Sequence, residues 1–395
     1  MMIQAVLGNP HHPEYGVATI PFPIPCDQYA HCMSLLEALE IGDAAKADCK
    51  VEKIDSFYTV LKRTEMLTVN VEELNYLAKR LDSFDTGEAA QFQAMAHKLE
   101  LFELKDLINL TFCCQQATVI TDFSDLAAIG RNHYMNLHGG SASVDELNAL
   151  DGKKTARQLI ESGGGTITPY GVVYDNGMKL EPVYDGRFFP CYYYEPNAIT
   201  VAVTSKSVPR DTEHITWLFL PMVQEEIDRA LLRGGITDPA DVRLRLEDSQ
   251  LPNEVDVLLD MEYETLSDLN ELAEATDGLS KVDMEKLGAV VMLAKPKSAA
   301  QIKNLAESLD LFDLAPGAHT PQEYGKYMIR QSGRFEYDEN LDAFYDYEKY
   351  GTERMNEEDG MFTDRGYIAY KGYTSMEEVM NGGQSNHMVL GGLSR

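Results

Sequence analysis

Basic side chains are scarce in this chain: 34 lysines and arginines stand against 64 aspartates and glutamates in 395 residues, a formal net charge of -30. Direct binding of nucleic acid is thereby excluded as the expected mode, because it needs cations that displace counterions from phosphates. A basic partner is the natural complement. The six cysteines (Cys26, Cys32, Cys49, Cys113, Cys114 and Cys191) form no CxxC pair and no zinc-type Cys/His spacing, and they are too sparse for a disulfide framework. They read as buried thiols in a reducing cytoplasm. No apolar run reaches the roughly 18 residues of a membrane span, and the opening MMIQAVLGNPHHPEYG lacks a basic segment followed by an apolar one. The expectation is a soluble, cytoplasmic protein with no membrane association.

Signatures of catalysis are missing too. His11-His12 and the pair His133 and His138 make no HExxH arrangement. Gly163-Gly164-Gly165-Thr166 has no GK[ST] ending and reads as a turn, and there is no GxSxG elbow. Adjacent acids such as Glu72-Glu73 and Glu225-Glu226 point in different directions on a helix, so adjacency does not make a general acid/base pair. No catalytic residue, metal or cofactor is expected.

What the chain does have is a repeat. Leu74-Asn75-x-Leu77-Ala78 returns as Leu269-Asn270-x-Leu272-Ala273, 195 positions later. The same offset relates Asn109-Leu110 to Asn304-Leu305, Gly130 to Gly325, Asp151 to Asp346 and Thr168-x-x-Gly171 to Thr363-x-x-Gly366. Near the start, Ile3 to Leu7 lies opposite Ile199 to Val203, and Leu35-Leu36 opposite Leu231-Leu232, at 196. A constant register points to two homologous repeats, 1 to 195 and 196 to 395.

Each repeat orders its elements alike. Short β-like runs (Met2 to Leu7 and Val17 to Phe22; Ile199 to Thr204 and Ile215 to Leu220) precede an amphipathic helix, on Tyr29, Cys32, Met33, Leu36 and Leu39 or on Ile227, Ala230 and Leu231. Short helices follow, with starts at Asn70-x-x-Glu73, Ser280-x-x-Asp283 and Ser298-x-x-Gln301. Strands at Val172 to Tyr174 and Tyr367 to Tyr370 close the repeats. The fold class is α+β, with α+β domains at 1-60, 117-195, 196-260 and 311-395 flanking helical clusters at 61-116 and 261-310. The aromatic runs Phe188 to Tyr194 and Phe344, Tyr345, Tyr347, Tyr350 suit core and linker packing, or else an interface seam.

The acidity is uneven: repeat one holds 27 acids and 15 bases, repeat two 37 and 19. Leu246 to Ser280 contains Glu247, Asp248, Glu254, Asp256, Asp260, Glu262, Glu264, Asp268, Glu271, Glu274 and Asp277, and no Lys, Arg or His. Val255, Val257, Leu258, Leu259, Leu266, Leu269 and Leu272 interleave with them and need burial, so the acids should sit on ordered elements. Such a run is ordinarily a solvated face; held rigidly, it imitates phosphates. A duplex carries one charge per ~1.7 Å, so 30 net charges correspond to roughly 50 Å of DNA.

Leu-Asn-x-Leu-Ala, Asp106 to Leu110, Asp125 to Gly130, Tyr347-Glu-Lys-Tyr-Gly351 and Phe362 to Tyr370, together with the acidity, resemble the ArdA family of antirestriction proteins, which mobile genetic elements and phages encode. The resemblance implies a non-enzymatic DNA mimic: an elongated, acidic, dimerising protein that occupies the DNA-binding channel of Type I restriction-modification enzymes. Its phosphate-mimicking candidates are the eleven carboxylates above with Glu357, Glu358 and Asp359. The chain is longer than a usual member, so one chain could act as a monomeric pseudo-dimer or still form a homodimer. The alternatives are an acidic inhibitor or adaptor of another DNA-handling defence complex, and an enzyme acting on a small substrate.

Overall fold

Apolar residues recur at every second position of Ile3–Gly8 (β1) and Val17–Phe22 (β2). In the computed structural model, which describes residues 3–210, 214–334 and 336–383, the two strands pair antiparallel with Ile3 opposite Phe22. Met2, the expected start of β1, lies outside the described residues. Helix Tyr29–Glu37 (α1) adds Tyr29, Cys32, Met33 and Leu36 to the same core. Cys49–Asp55 (β3) and Thr68–Val69 (β4), which periodicity had not signalled, complete a sheet of order β2-β1-β3-β4.

Val71–Asp82 (α2), Thr86–Lys98 (α3) and Leu104–Leu110 (α4) form the first helical cluster. Helix α2 starts where its cap predicts, with the Asn70 side chain accepting from the Glu73 amide. Its stripe of Val71, Leu74, Leu77, Ala78 and Leu81 is fully buried. Thr118–Ile120 (β5), Leu126–Leu137 (α5), Val144–Ala149 (α6), Gly152–Glu161 (α7), Thr166–Thr168 (β6) and Gly171–Tyr174 (β7) follow, in an antiparallel sheet of order β5-β7-β6.

The second half repeats this plan. Ile199–Ser205 (β8), Thr216–Leu220 (β9), Gln224–Gly234 (α8) and Val242–Ser249 (β10) give a sheet of order β10-β8-β9. Asn253–Leu258 (α9), Leu266–Thr276 (α10), Lys281–Ala294 (α11) and Ala299–Ala306 (α12) make the helical cluster, with Ser280 and Ser298 capping as expected. Phe312–Pro316 (β11), Pro321–Arg330 (α13), Tyr347–Glu357 (α14), Asp359–Thr363 (β12) and Gly366–Tyr370 (β13) form a sheet of order β11-β13-β12, and Met376–Met380 (α15) follows. The fold is α+β, as expected. Two compact units result: the described residues of 1–195, 207–217 and 223–241, and those of 196–206, 218–222 and 242–395. Helix α8 thus belongs to the first unit.

The repeated motifs do the same work in both halves. The Asn75 side chain accepts from the Ile24 amide at 2.8 Å, and Asn270 accepts from the Met222 amide at 2.8 Å. Each bond tethers the residue just after a cis proline, Pro23 or Pro221, to the helical cluster. Asn109 donates to the Tyr184 carbonyl and Asn304 to the Met380 carbonyl, fastening the returning tail. Thr168 and Thr363 donate across their hairpins to Gly171 and Gly366. Where α5 meets α7, a Cβ on Gly130 would fall 1.8 Å from the Gly152 carbonyl oxygen; where α13 meets α14, one on Gly325 would fall 2.0 Å from that of Tyr347. Only glycine permits these backbone contacts.

Three expectations need correction. Val257 does not turn inward but is 85% exposed, because Val255, two residues earlier on the short α9, takes the buried face and Val257 points to the opposite side. Cys26 and Cys191 are exposed, since both lie in segments without a face to bury. Phe344 is 84% exposed and is not core. The Phe188 to Tyr194 run does pack: Phe189 stacks on Tyr76 at 4.5 Å.

Candidate partner-binding surface

The carboxylates singled out in the sequence separate into two groups once folded. Glu254, Asp256, Glu264 and Glu358 are half-buried and turned to internal contacts. Glu254 takes two bonds from the Arg365 guanidinium at 2.8 Å, which also pairs with Glu285, so this carboxyl is held below its ordinary range chiefly by those bonds. Glu264 accepts from the Ala299 amide with both oxygens, at 3.1 and 3.0 Å, and so sits at the N-terminus of α12. Burial nevertheless raises its pKa. Glu358 accepts from the Tyr324 hydroxyl at 2.6 Å and pairs with Arg354. Asp268, also half-buried, accepts from the Thr265 hydroxyl within the first turn of α10.

Asp256 is the strained member of this group. Its Oδ1 is buried without a hydrogen-bond partner, and burial, followed by the charge of Asp248, raises its pKa although Ser249 donates to it. A folded pKa above the unfolded one penalises the fold at pH values above both, and the penalty disappears as pH falls below the unfolded value. Asp256→Asn is therefore expected to be more stable than the parent at neutral pH, by less than about 1 kcal/mol given partial hydration, and so to melt at a higher temperature, with the difference vanishing below about pH 3. Thermal scans at both pH values check it.

The remaining nine are exposed. Glu247 and Asp248 lie on β10, Asp260 and Glu262 on the turn before α10, Glu271 and Glu274 on α10, Asp277 just beyond it, and Glu357 and Asp359 at the junction of α14 with β12. Neutralisation is slight: Glu247 meets Arg245 at 3.0 Å, Glu271 meets Lys303 at 3.0 Å and Glu357 meets Arg354 at 3.3 Å. Exposed pairs of this kind contribute little. Glu307 and Asp310 are exposed as well. Sequence reading missed them because Lys281 ends the base-free run and Lys286, Lys295, Lys297 and Lys303 follow, although folding leaves their carboxylates at the surface.

The counterpart of α10 in the first unit is α2, and its outward face is covered. Glu72 accepts from Arg229 at 2.6 Å and from the Tyr29 hydroxyl at 3.0 Å; Glu73 accepts from the Tyr184 hydroxyl at 2.7 Å and lies 3.5 Å from Arg233. Tyr76 stacks on Phe189, Lys79 reaches Glu226 at 3.4 Å, and Arg80 stands 4.4 Å from the Tyr192 ring. Across the 195-residue offset, Tyr76 becomes Glu271 and Lys79 becomes Glu274.

A cleft beside β5 and α5 has Asp122 and Asp125 among its lining residues, but these carboxylates are occupied in the local turn, Asp122 by Ser124 and Asp125 by the Ala127 and Ala128 amides at the start of α5. Among the described residues no group of three or more His, Cys, Asp or Glu could hold a metal ion, and no helix is long and apolar enough to cross a membrane. What the second unit offers is a surface of fixed negative charge. Residues 213–369 match the model of a protein family described as antirestriction protein (ArdA). A search of curated proteins gave no match.

Proposed function

With residues 213–369 belonging to the ArdA antirestriction family, we propose that the protein inhibits a Type I restriction-modification enzyme by setting the exposed carboxylates of its second unit where DNA phosphates would lie in the enzyme's DNA-binding channel. The observation that carries this reading is the group Asp260, Glu262, Glu271, Glu274 and Asp277, exposed on ordered backbone in a stretch with no cation of its own. Inhibition is by occupancy, and no covalent step is required of the protein. The chain is a tandem of two ArdA-like units; the matching tethers at Asn75 and Asn270, the matching glycine crossings and the matching sheet orders support a duplication.

A multivalent carboxylate ligand on a basic channel competes with DNA and is screened by salt. In titrations of a purified Type I complex carrying labelled DNA, the protein is expected to displace the DNA, and its apparent affinity to fall at least about tenfold between about 50 and 200 mM salt. Binding that leaves the DNA in place, or that ignores salt, would refute the mimicry.

A further inference from the structure

Two repeats raise the expectation of two DNA-mimicking faces. We infer that the chain presents one, on the second unit, because the corresponding face of the first unit is filled by the protein itself. This rests on the proposed mimicry and goes beyond it by assigning the repeats different tasks.

The two faces are equivalent by position. Helix α2 and helix α10 carry Leu-Asn-x-Leu-Ala, and in both the Asn makes the same long-range tether. The variable residue of that motif, Tyr76 or Glu271, faces away from the buried Leu and Ala stripe. On α2, Tyr76 is clamped by Phe189 and donates to the Pro190 carbonyl at 2.9 Å. Glu72 and Glu73 are taken by Arg229 and Arg233, and Asp82 accepts from the Tyr194 hydroxyl at 2.8 Å. A face so occupied has neither free charge nor access.

On α10 and its C-cap the positions of Tyr76, Lys79 and Asp82 hold Glu271, Glu274 and Asp277, all exposed. One face has exchanged its anchoring tyrosine and its lysine for carboxylates and stands open; the other keeps its acids neutralised under α8 and the aromatic tail. The first unit therefore acts as a scaffold, and each chain fills one channel.

The test uses the full chain and two variants with equal change of net charge. One is Glu271→Gln, Glu274→Gln, Asp277→Asn. The other is Glu37→Gln, Glu103→Gln, Glu161→Gln, exposed acids of the first unit. Displacement of labelled DNA from a purified Type I complex should weaken about tenfold for the first and less than about twofold for the second, and mass measurement of the saturated complex should give one chain per DNA channel. Equal weakening by both variants, or one chain bridging two channels, would overturn the single-face assignment while leaving mimicry intact. If neither variant weakens displacement although both remain folded, the mimicry itself fails and the assignment with it.

Discussion

Arg233→Ala is expected to destabilise the first unit by about 3–5 kcal/mol, the range for removing one partner from a buried charged network. The side chain is 3% exposed. Its guanidinium donates to the carbonyls of Ala44 and Arg187 at 2.9 and 2.8 Å, to Asn70 Oδ1 at 2.9 Å, to Gly186 O at 3.2 Å and to the Tyr184 hydroxyl, and it lies 4.4 Å from the Phe189 ring. Truncation leaves Glu73 without its neighbouring cation and several buried acceptors without donors, each costing about 1–3 kcal/mol when left unmade. Arg233→Lys should recover little, since a point charge cannot satisfy a planar fork. Denaturant unfolding measures both, and a loss under 1 kcal/mol would mean that water replaces the network.

The second large effect concerns inhibition. Converting Glu247, Asp248, Asp260, Glu262, Glu271, Glu274 and Asp277 together to their amides should weaken displacement of DNA by a hundredfold or more while leaving the unfolding midpoint nearly unchanged. Screened surface charges contribute about 0.5 kcal/mol each, so seven supply roughly 3–4 kcal/mol and a single replacement changes affinity only two- to threefold. Asp256 and Glu264 are unsuitable for such single replacements: one is half-buried with an unpartnered oxygen and the other holds α12, so changing them alters the fold's energetics as well as the surface. A single exposed carboxylate whose removal abolished inhibition in a folded protein would point to one specific site in place of a distributed one.

Local signals carried much of the architecture. Caps at Asn70, Ser280 and Ser298, the stripe of α2 and the strands near each terminus of the repeats are written within windows of a few residues. The purpose of the repeated asparagine is not, because Asn75 and its partner Ile24 are 51 positions apart. Nor does a charge run reveal which of its acids stay at the surface: Arg365 reaches Glu254 from 111 positions away. The placement of α8 in the first unit depends on Arg229 and Arg233 finding Glu72 and Glu73, which no periodicity within the helix announces. Residue type and spacing indicated a strongly acidic region; only long-range packing separates its outward carboxylates from its structural ones.

The glycine crossings bear on how such a protein can change its coat. Helices α5 and α7 meet backbone to backbone at Gly130 and Gly152, and α13 and α14 at Gly325 and Gly351, so each join depends on two missing side chains and hardly on what the outer faces carry. The outer residues of the two pairs differ: α7 carries Lys153, Lys154 and Arg157 against one acid, Glu161, whereas α14 carries Glu348, Glu353 and Glu357 against Lys349 and Arg354. Under the proposed mimicry, such helices can be repainted charge by charge, because the seam that holds them together lies beneath the paint.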